Sequence, residues 1–135
     1  MANPGTAIHP SSRPVSAPDA EVSVRQQTIA WLILAASVAA EVLGTLALRH
    51  AADFTLLPPS LAAAACYAAA IWWMALAVRH LEIGLTYAVW AGSATALTAI
   101  AGIIWFGEAA TALRITGLLM VVGGVVALNL SAHSG

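Results

Sequence analysis

The sequence predicts an all-α membrane protein with four transmembrane helices per subunit. Of its 135 residues, 61% are hydrophobic and only 8% are charged, and none is a lysine. A soluble domain carries about a quarter charged residues, so this chain could not cover an ordinary globular surface with polar groups. Four long apolar stretches follow one another along the chain, each close to the length that crosses a bilayer.

The first element is a predicted tail, residues 1–28, which holds four of the six prolines. This segment has few large apolar side chains, so burying them cannot offset the conformational entropy that the chain would lose on becoming ordered. We therefore expect a disordered segment. A docking or regulatory tail is the alternative. No apolar run of signal-peptide length precedes Ile29. A second short tail, 133–135, ends the chain.

The four predicted spans cover residues 29–48, 59–78, 83–106 and 115–132. Backbone polar groups in lipid must be satisfied within the spanning segment, which favours helices. The alanine- and leucine-rich composition shows no period-two alternation and argues against a β-barrel. We therefore expect one multi-pass domain, 29–132, in the cell membrane. Its loops are too short for an extramembrane domain.

The arginines flanking the spans are balanced between the two membrane faces. Four spans place Arg25 and Arg79 on one face and Arg49 and Arg114 on the other. The positive-inside rule needs an imbalance to fix orientation. Two interpretations remain: chance among few charges, or dual topology, in which the chain inserts both ways and opposite copies form an antiparallel dimer.

Glu41 is the only acidic or basic residue deep inside a predicted span. A charge at that depth costs about 2.5–3.5 kcal/mol on insertion scales, and intramembrane carboxylates are functional by default. No arginine lies within a span to neutralise it, so we expect Glu41 to exchange a proton near neutral pH. The alternative is a neutral glutamic acid that only hydrogen-bonds helices together.

Small and hydroxyl side chains share the helix face of Glu41. Ser37 lies four residues before it, and Gly44 and Thr45 lie three and four residues after it. Such side chains allow a ligand to approach the carboxylate closely. Ordinary helix packing in membranes favours the same residue types, so this face alone does not distinguish a ligand-binding surface from a helix-packing surface.

Aromatic residues are a second feature typical of a cation-binding site. Tyr67 lies in the second span, and Tyr87 and Trp90 lie three residues apart in the third. A carboxylate with aromatic faces around it binds hydrophobic cations by charge pairing and cation–π contact. Packing between helices is the alternative role. In the fourth span, Gly117 and Gly124 lie on one face, which suits helix association and indicates a dimer contact.

Several function classes find no support in the sequence. The four histidines and the single cysteine show no metal-ligand spacing. There is no phosphate-binding loop, nucleophile elbow or pair of catalytic acids. The net charge is -1 and no basic cluster occurs, which argues against nucleic-acid binding. We expect no enzymatic activity, no cofactor, no metal site and no nucleic-acid partner.

Four segments resemble the small multidrug resistance family: AEVLGT at 40–45, CY at 66–67, GLTYAVWAG at 84–92 and NL at 129–130. The resemblance covers residues 29–131, and the combination of the intramembrane glutamate with the tyrosine–tryptophan motif is its specific part. It implies a proton-coupled antiporter that works as an antiparallel dimer in the lipid bilayer. Protons and small cationic substrates would be its ligands.

The resemblance also implies roles for individual residues. Glu41 corresponds to the essential carboxylate, which binds either protons or a cationic substrate, and this competition couples the two flows. The family's substrate-binding positions correspond to Tyr67, Tyr87, Trp90, Ser37, Gly44 and Thr45. Its dimerisation motif corresponds to Gly117 and Gly124.

The run EVLGT at 41–45 is similar to the quaternary-ammonium branch of the family, whereas the guanidinium-exporting branch tends to carry a tryptophan soon after its glutamate. Two departures stand out: Glu82 replaces the proline usual before the third span, and Ala94 replaces the second glycine of the third-span bend. Some members work as pairs of different subunits. A heterodimer with a sister chain therefore stays open, as does a passive dual-topology channel.

Overall fold

The part of the chain that the structure describes folds into four α-helices joined by short loops. In the computed structural model, residues 17–51 and 54–134 are described. The helices are α1 (Ala17–Arg49), α2 (Leu57–Ala77), α3 (Ile83–Phe106) and α4 (Ala112–Ser134), and these ranges contain no strand. Each helix contains a stretch long and apolar enough to cross a membrane. The predicted all-α fold with four spans is confirmed, and the antiparallel dimer stays a prediction.

The helix α3 has the predicted bounds, α2 begins two residues before its predicted span, and α4 begins three residues before its span and continues to Ser134, within the predicted tail 133–135. The largest difference is at the start of α1. That helix begins at Ala17, twelve residues before the predicted span, so the expectation of disorder does not hold for residues 17–28. Glu21, Arg25 and Gln26 are good helix formers, and Pro18 lies at the first turn, where its missing N–H leaves no bond unmade. The rest of the predicted tail, residues 1–16, lies outside the described residues.

Loop residues set where α2 begins and where α3 ends. Pro58 and Pro59 lie in the first turn of α2. The helix α3 ends at Gly107, whose φ of 65° lies in the left-handed region that glycine adopts without strain. The N–H of Glu108 donates to the carbonyl of Gly102 at 3.1 Å. This bond turns the α3–α4 loop back over the end of α3.

Small residues set the packing of the four helices. One face of α2 is formed by fully buried alanines seven residues apart, Ala63, Ala70 and Ala77, and α2 packs mainly on α1. A Cβ placed on Gly92 of α3 would lie 2.6 Å from Cγ2 of Val125 in α4, so the glycine permits this close approach. The apolar window of α4 has none of its residues buried, which makes α4 the peripheral helix.

Candidate functional site

A cavity of about 630 Å³ lies between α1, α3 and the α3–α4 loop. It contains the predicted carboxylate, Glu41, and it extends to Arg49 at the end of α1, eight residues and about 12 Å further along the helix. Hydroxyl, apolar and charged side chains all contribute to its wall, which is formed by Glu41, Thr45, Leu46, Leu48, Arg49, Ala94, Thr95, Thr98, Ala99, Gly102, Phe106, Glu108 and Arg114.

Glu41 has a carboxylate oxygen without a partner. Its Oε2 is buried and receives no hydrogen bond within the described part of the chain. The two ion pairs found among those residues both belong to Glu108, at the other end of the cavity. A buried carboxylate oxygen needs a donor or a cation to offset its desolvation. Glu41 is therefore available for a proton or for a positively charged ligand.

A short chain of hydrogen bonds ties Tyr67 to Glu41. Thr45 donates from its hydroxyl to the backbone carbonyl of Glu41 at 3.0 Å. The hydroxyls of Thr45 and Tyr67 lie 2.9 Å apart. Since the Thr45 hydrogen is committed to the carbonyl, Tyr67 donates to Thr45. This arrangement fixes Tyr67 of α2 beside Thr45, which itself lines the cavity.

Tyr87 and Trp90 form an aromatic pair on α3, with ring centroids 5.8 Å apart and planes tilted by 50°. The Trp90 indole N–H is buried and has no acceptor among the described residues, whereas Tyr87 is 56% exposed. Neither residue lines the cavity that contains Glu41. Within one subunit, Tyr67 is therefore the predicted aromatic residue that is hydrogen-bonded to a side chain of this cavity, whereas Tyr87 and Trp90 lie outside its wall.

Two residues of the predicted binding face lie against α2. Ser37 is fully buried and donates to the carbonyl of Ala70 at 2.6 Å. A Cβ on Gly44 would lie 3.1 Å from the Cβ of Cys66, so Gly44 permits the close approach of α1 and α2. Of the four predicted residues on this helix, only Glu41 and Thr45 line the cavity.

The predicted dimer residues lie on the peripheral helix. Added Cβ atoms on Gly117 and Gly124 would meet nothing within 4 Å. These glycines therefore serve no packing contact within the described part of the subunit.

A charged cluster at the end of the cavity was not predicted as a site. Arg49 contacts Oε1 of Glu108 at 2.7 Å, and Arg114 hydrogen-bonds Oε2 of the same carboxylate. The guanidinium of Arg49 also lies 4.1 Å from the centroid of the Phe106 ring. We call Arg49, Glu108 and Arg114 the mouth cluster. A signal for it was present, because four spans place the first and third loops on the same membrane face.

The two arginines control the ionisation of Glu108. The hydrogen bond from Arg114, and after it that from Arg49, lowers the pKa of the Glu108 carboxyl below its ordinary value, against the opposing effect of partial desolvation. The cluster therefore carries two positive charges and one negative charge at neutral pH.

Four apolar helices long enough to span a membrane, with Glu41 of α1 in the wall of a cavity, define a small multi-pass membrane protein with a candidate binding site. Comparison with known proteins narrows this class. The sequence model of the Small Multidrug Resistance family matches residues 29–121, and the chain belongs to this family of efflux transporters. It is accordingly a multi-pass protein of the cell membrane.

Its relatives differ in what their names say they export. The nicotine metabolites export pump subunit NepB of Paenarthrobacter nicotinovorans is 39% identical over 79% of this chain and 64% of its own length, so the chain spans less than two thirds of that relative. The quaternary ammonium compound-resistance protein QacF of Klebsiella aerogenes is 37% identical over 76% of this chain and 97% of its own length. A guanidinium exporter of Yersinia pestis is 35% identical over 77% of this chain and its whole length.

Proposed function

We propose that this chain is a proton-coupled antiporter that exports lipophilic and quaternary ammonium cations. The observation that carries this proposal is the unpartnered Oε2 of Glu41 in a membrane-spanning helix. One carboxylate can hold a proton or pair with a cation, and each excludes the other electrostatically. When a proton displaces the cation from Glu41 at one membrane face and a cation displaces the proton at the other face, the flows of protons and cations are coupled.

The cavity supports a small lipophilic cation as the substrate. Its volume of about 630 Å³ falls within the ordinary range for small-molecule sites. Leu46, Leu48 and Phe106 provide apolar surface, and Thr95 and Thr98 add hydroxyl-bearing side chains to the same wall. The relatives named for quaternary ammonium compounds and for guanidinium make these the two cations to compare.

An antiparallel homodimer is part of the proposal. In a single subunit α4 exposes large apolar side chains, among them Leu119, Met120 and Val126, and the two glycines of its predicted contact face adjoin open space. This supports α4 as the surface that meets a second copy. The balance of Arg25 and Arg79 against Arg49 and Arg114 supports insertion in both orientations.

Uptake into proteoliposomes with an imposed pH gradient tests this function. The wild type should accumulate a quaternary ammonium cation when the gradient is present and lose uptake when it is collapsed. Glu41→Gln should abolish coupled uptake, whereas Glu82→Gln, which removes a carboxylate from the α2–α3 loop, should retain it. Wild-type uptake by Glu41→Gln would refute the proposal. Gradient-independent ion conduction would instead identify a passive channel.

A heterodimeric exporter is the second candidate, favoured by one comparison. The relative NepB is named a pump subunit, so this chain could require a sister chain. Reconstituted alone, it would then bind no cation and transport none. Co-expression with a sister chain encoded nearby would restore both. Coupled uptake by the purified chain alone contradicts this candidate.

A further inference from the structure

The mouth cluster lies at the end of the cavity that contains Glu41. Arg49 comes from the last turn of α1, Glu108 from the α3–α4 loop and Arg114 from the first turns of α4. All three line the same cavity as Glu41. Any ligand that reaches Glu41 from this end passes these side chains.

The cluster also joins helices that otherwise touch little. The helix α1 packs on α2 and α3, and α4 packs on α3, but α1 and α4 share little direct packing among the described residues. Glu108 accepts hydrogen bonds from Arg49, 59 residues earlier, and from Arg114, six residues later. The Arg49–Glu108 bond therefore connects α1 to the α3–α4 loop across the mouth, whereas the Arg114–Glu108 bond joins that loop to the start of α4.

The local backbone is shaped for this contact. A Cβ on Gly102 would lie 2.7 Å from Oε2 and 3.2 Å from Oε1 of Glu108, so the glycine lets the carboxylate lie directly over the end of α3, and a larger residue there would displace the Glu108 side chain. Arg49 is held from its other side by the Phe106 ring. His50 packs against the same ring, with centroids 5.7 Å apart. Contacts with Gly102 and Phe106 therefore hold the two partners of the ion pair, although the Arg49 side chain is 50% exposed.

The charge of the cluster bears on cations in particular. Two guanidiniums and one carboxylate leave one net positive charge at this mouth. We propose that Arg49, Glu108 and Arg114 form a charged gate over the Glu41 cavity: the Arg49–Glu108 bond closes it, and its net positive charge disfavours the passage of cations while it is closed. This inference rests on the proposed function, since it assigns the access control of the same cavity.

Thiol labelling of a cavity residue tests the gate without transport. Thr98 lines the cavity on α3, and a Thr98→Cys variant in a Cys66→Ala background gives a single reporter thiol. Its modification rate is measured in detergent-solubilised protein with a cationic and a neutral polar methanethiosulfonate of similar size. Each rate is divided by the reagent's rate with a free thiol.

If the gate exists, removing an arginine and removing the glutamate should change the ratio of cationic to neutral labelling rates in opposite directions. Arg49→Gln and Glu108→Gln both break the bond across the mouth, so the neutral reagent should react faster in both. The ratio of cationic to neutral rates should rise about fivefold in Arg49→Gln and fall by a similar factor in Glu108→Gln, the size expected for one unit charge at short range in a water-like medium. Arg49→Lys keeps the net charge and should leave the ratio unchanged.

Matched controls at the other loop separate the gate from a general charge effect. Arg79→Gln and Glu82→Gln remove one charge of each sign from the α2–α3 loop and should change neither rate. An unchanged neutral rate in both mouth variants would overturn the gate. So would a charge ratio that moves in the same direction in both. Failure of proton-driven uptake by the wild type would refute the proposed function and leave these labelling rates as they are.

Discussion

Two glutamates line one cavity and differ in what holds them. Both carboxylate oxygens of Glu108 accept hydrogen bonds from arginines, whereas Oε2 of Glu41 has no partner among the described residues. A paired carboxylate stays ionised and serves as a fixed charge. An unpaired carboxylate in a membrane span is the one that a proton or a cation can occupy.

Ser37 makes a packing contact, and its removal should affect stability rather than binding. Ser37→Ala removes the buried hydrogen bond to the Ala70 carbonyl and should lower the free energy of unfolding by about 0.6 kcal/mol, the average found for hydrogen bonds between membrane helices. Unfolding in mixed micelles measures this change. Thr95→Ala, which removes an exposed hydroxyl bonded only within its own helix, is the control for stability. Cation affinity should stay unchanged in Ser37→Ala, and a large loss of affinity at unchanged stability would instead place Ser37 in the substrate site.

At this scale the sequence marks Glu41 as an unusual residue more clearly than it indicates what the neighbouring side chains contact. Glu41 stands out because a charge inside an apolar run is costly, and that cost is visible in the sequence alone. The contact of Ser37 with α2 cannot be seen in the sequence. Ser37 lies four residues from Glu41 and shares its helix face, and that face borders both α2 and the cavity. The bond between Arg49 and Glu108 spans 59 residues, and no local pattern encodes it.

At the scale of elements, the hydrogen bonds from Arg49 and Arg114 connect the α3–α4 loop to α1 and α4 and favour the ionised form of the Glu108 carboxylate. Its pKa is lowered, chiefly by the hydrogen bond from Arg114. The stabilisation by this carboxylate is therefore fully present above its ordinary pKa, about 4.3, and is lost as the pH falls through the lowered value in the folded protein.

The pH dependence of unfolding checks this. The wild type should unfold at a higher temperature than Glu108→Gln at neutral pH, and the difference should persist down to about pH 4.3 and vanish at lower pH. Glu82→Gln, which removes a loop carboxylate that forms no ion pair in the described part of the chain, is the matched control and should unfold at nearly the wild-type temperature at neutral pH. A wild-type advantage that disappears already between pH 7 and about 6 would contradict the assigned carboxylate.

The spans were predictable because their signal is composition over about 20 residues, and α3 begins and ends at the predicted residues. The start of α1 was not predictable in this way, because residues 17–28 continue the helix beyond the apolar run with a mixed composition that includes the helix formers Glu21, Arg25 and Gln26. Hydropathy marks where a helix enters lipid. It does not mark where the helix begins.

At the scale of the whole molecule, α4 is the helix with an unfilled surface. Replacing both Gly117 and Gly124 by leucine adds side chains where the subunit has open space, so the subunit fold should persist. The same change should weaken the dimer, because close approach of two helices depends on small residues at the contact. Chemical crosslinking and size-exclusion chromatography in detergent measure the dimer fraction. Leucine at Gly123, which also adjoins open space, is the control.

An unchanged dimer fraction in the double variant, with a reduced fraction in the control, would place the contact on another face of α4. The dimer itself is beyond what one sequence specifies directly, because each copy contributes only half of the contact. The balanced arginines permit two orientations, and the exposed face of α4 provides a surface for pairing.

The proposed coupling requires that protons and substrate share Glu41. Its most direct test is proton release from purified protein in weakly buffered detergent solution when a quaternary ammonium cation is added, followed with a pH indicator. The wild type should release protons in proportion to the cation bound, because the cation displaces them from the carboxylate. Glu41→Gln should release none, and Glu82→Gln should release as much as the wild type. Cation binding by the wild type without proton release would contradict a shared carboxylate.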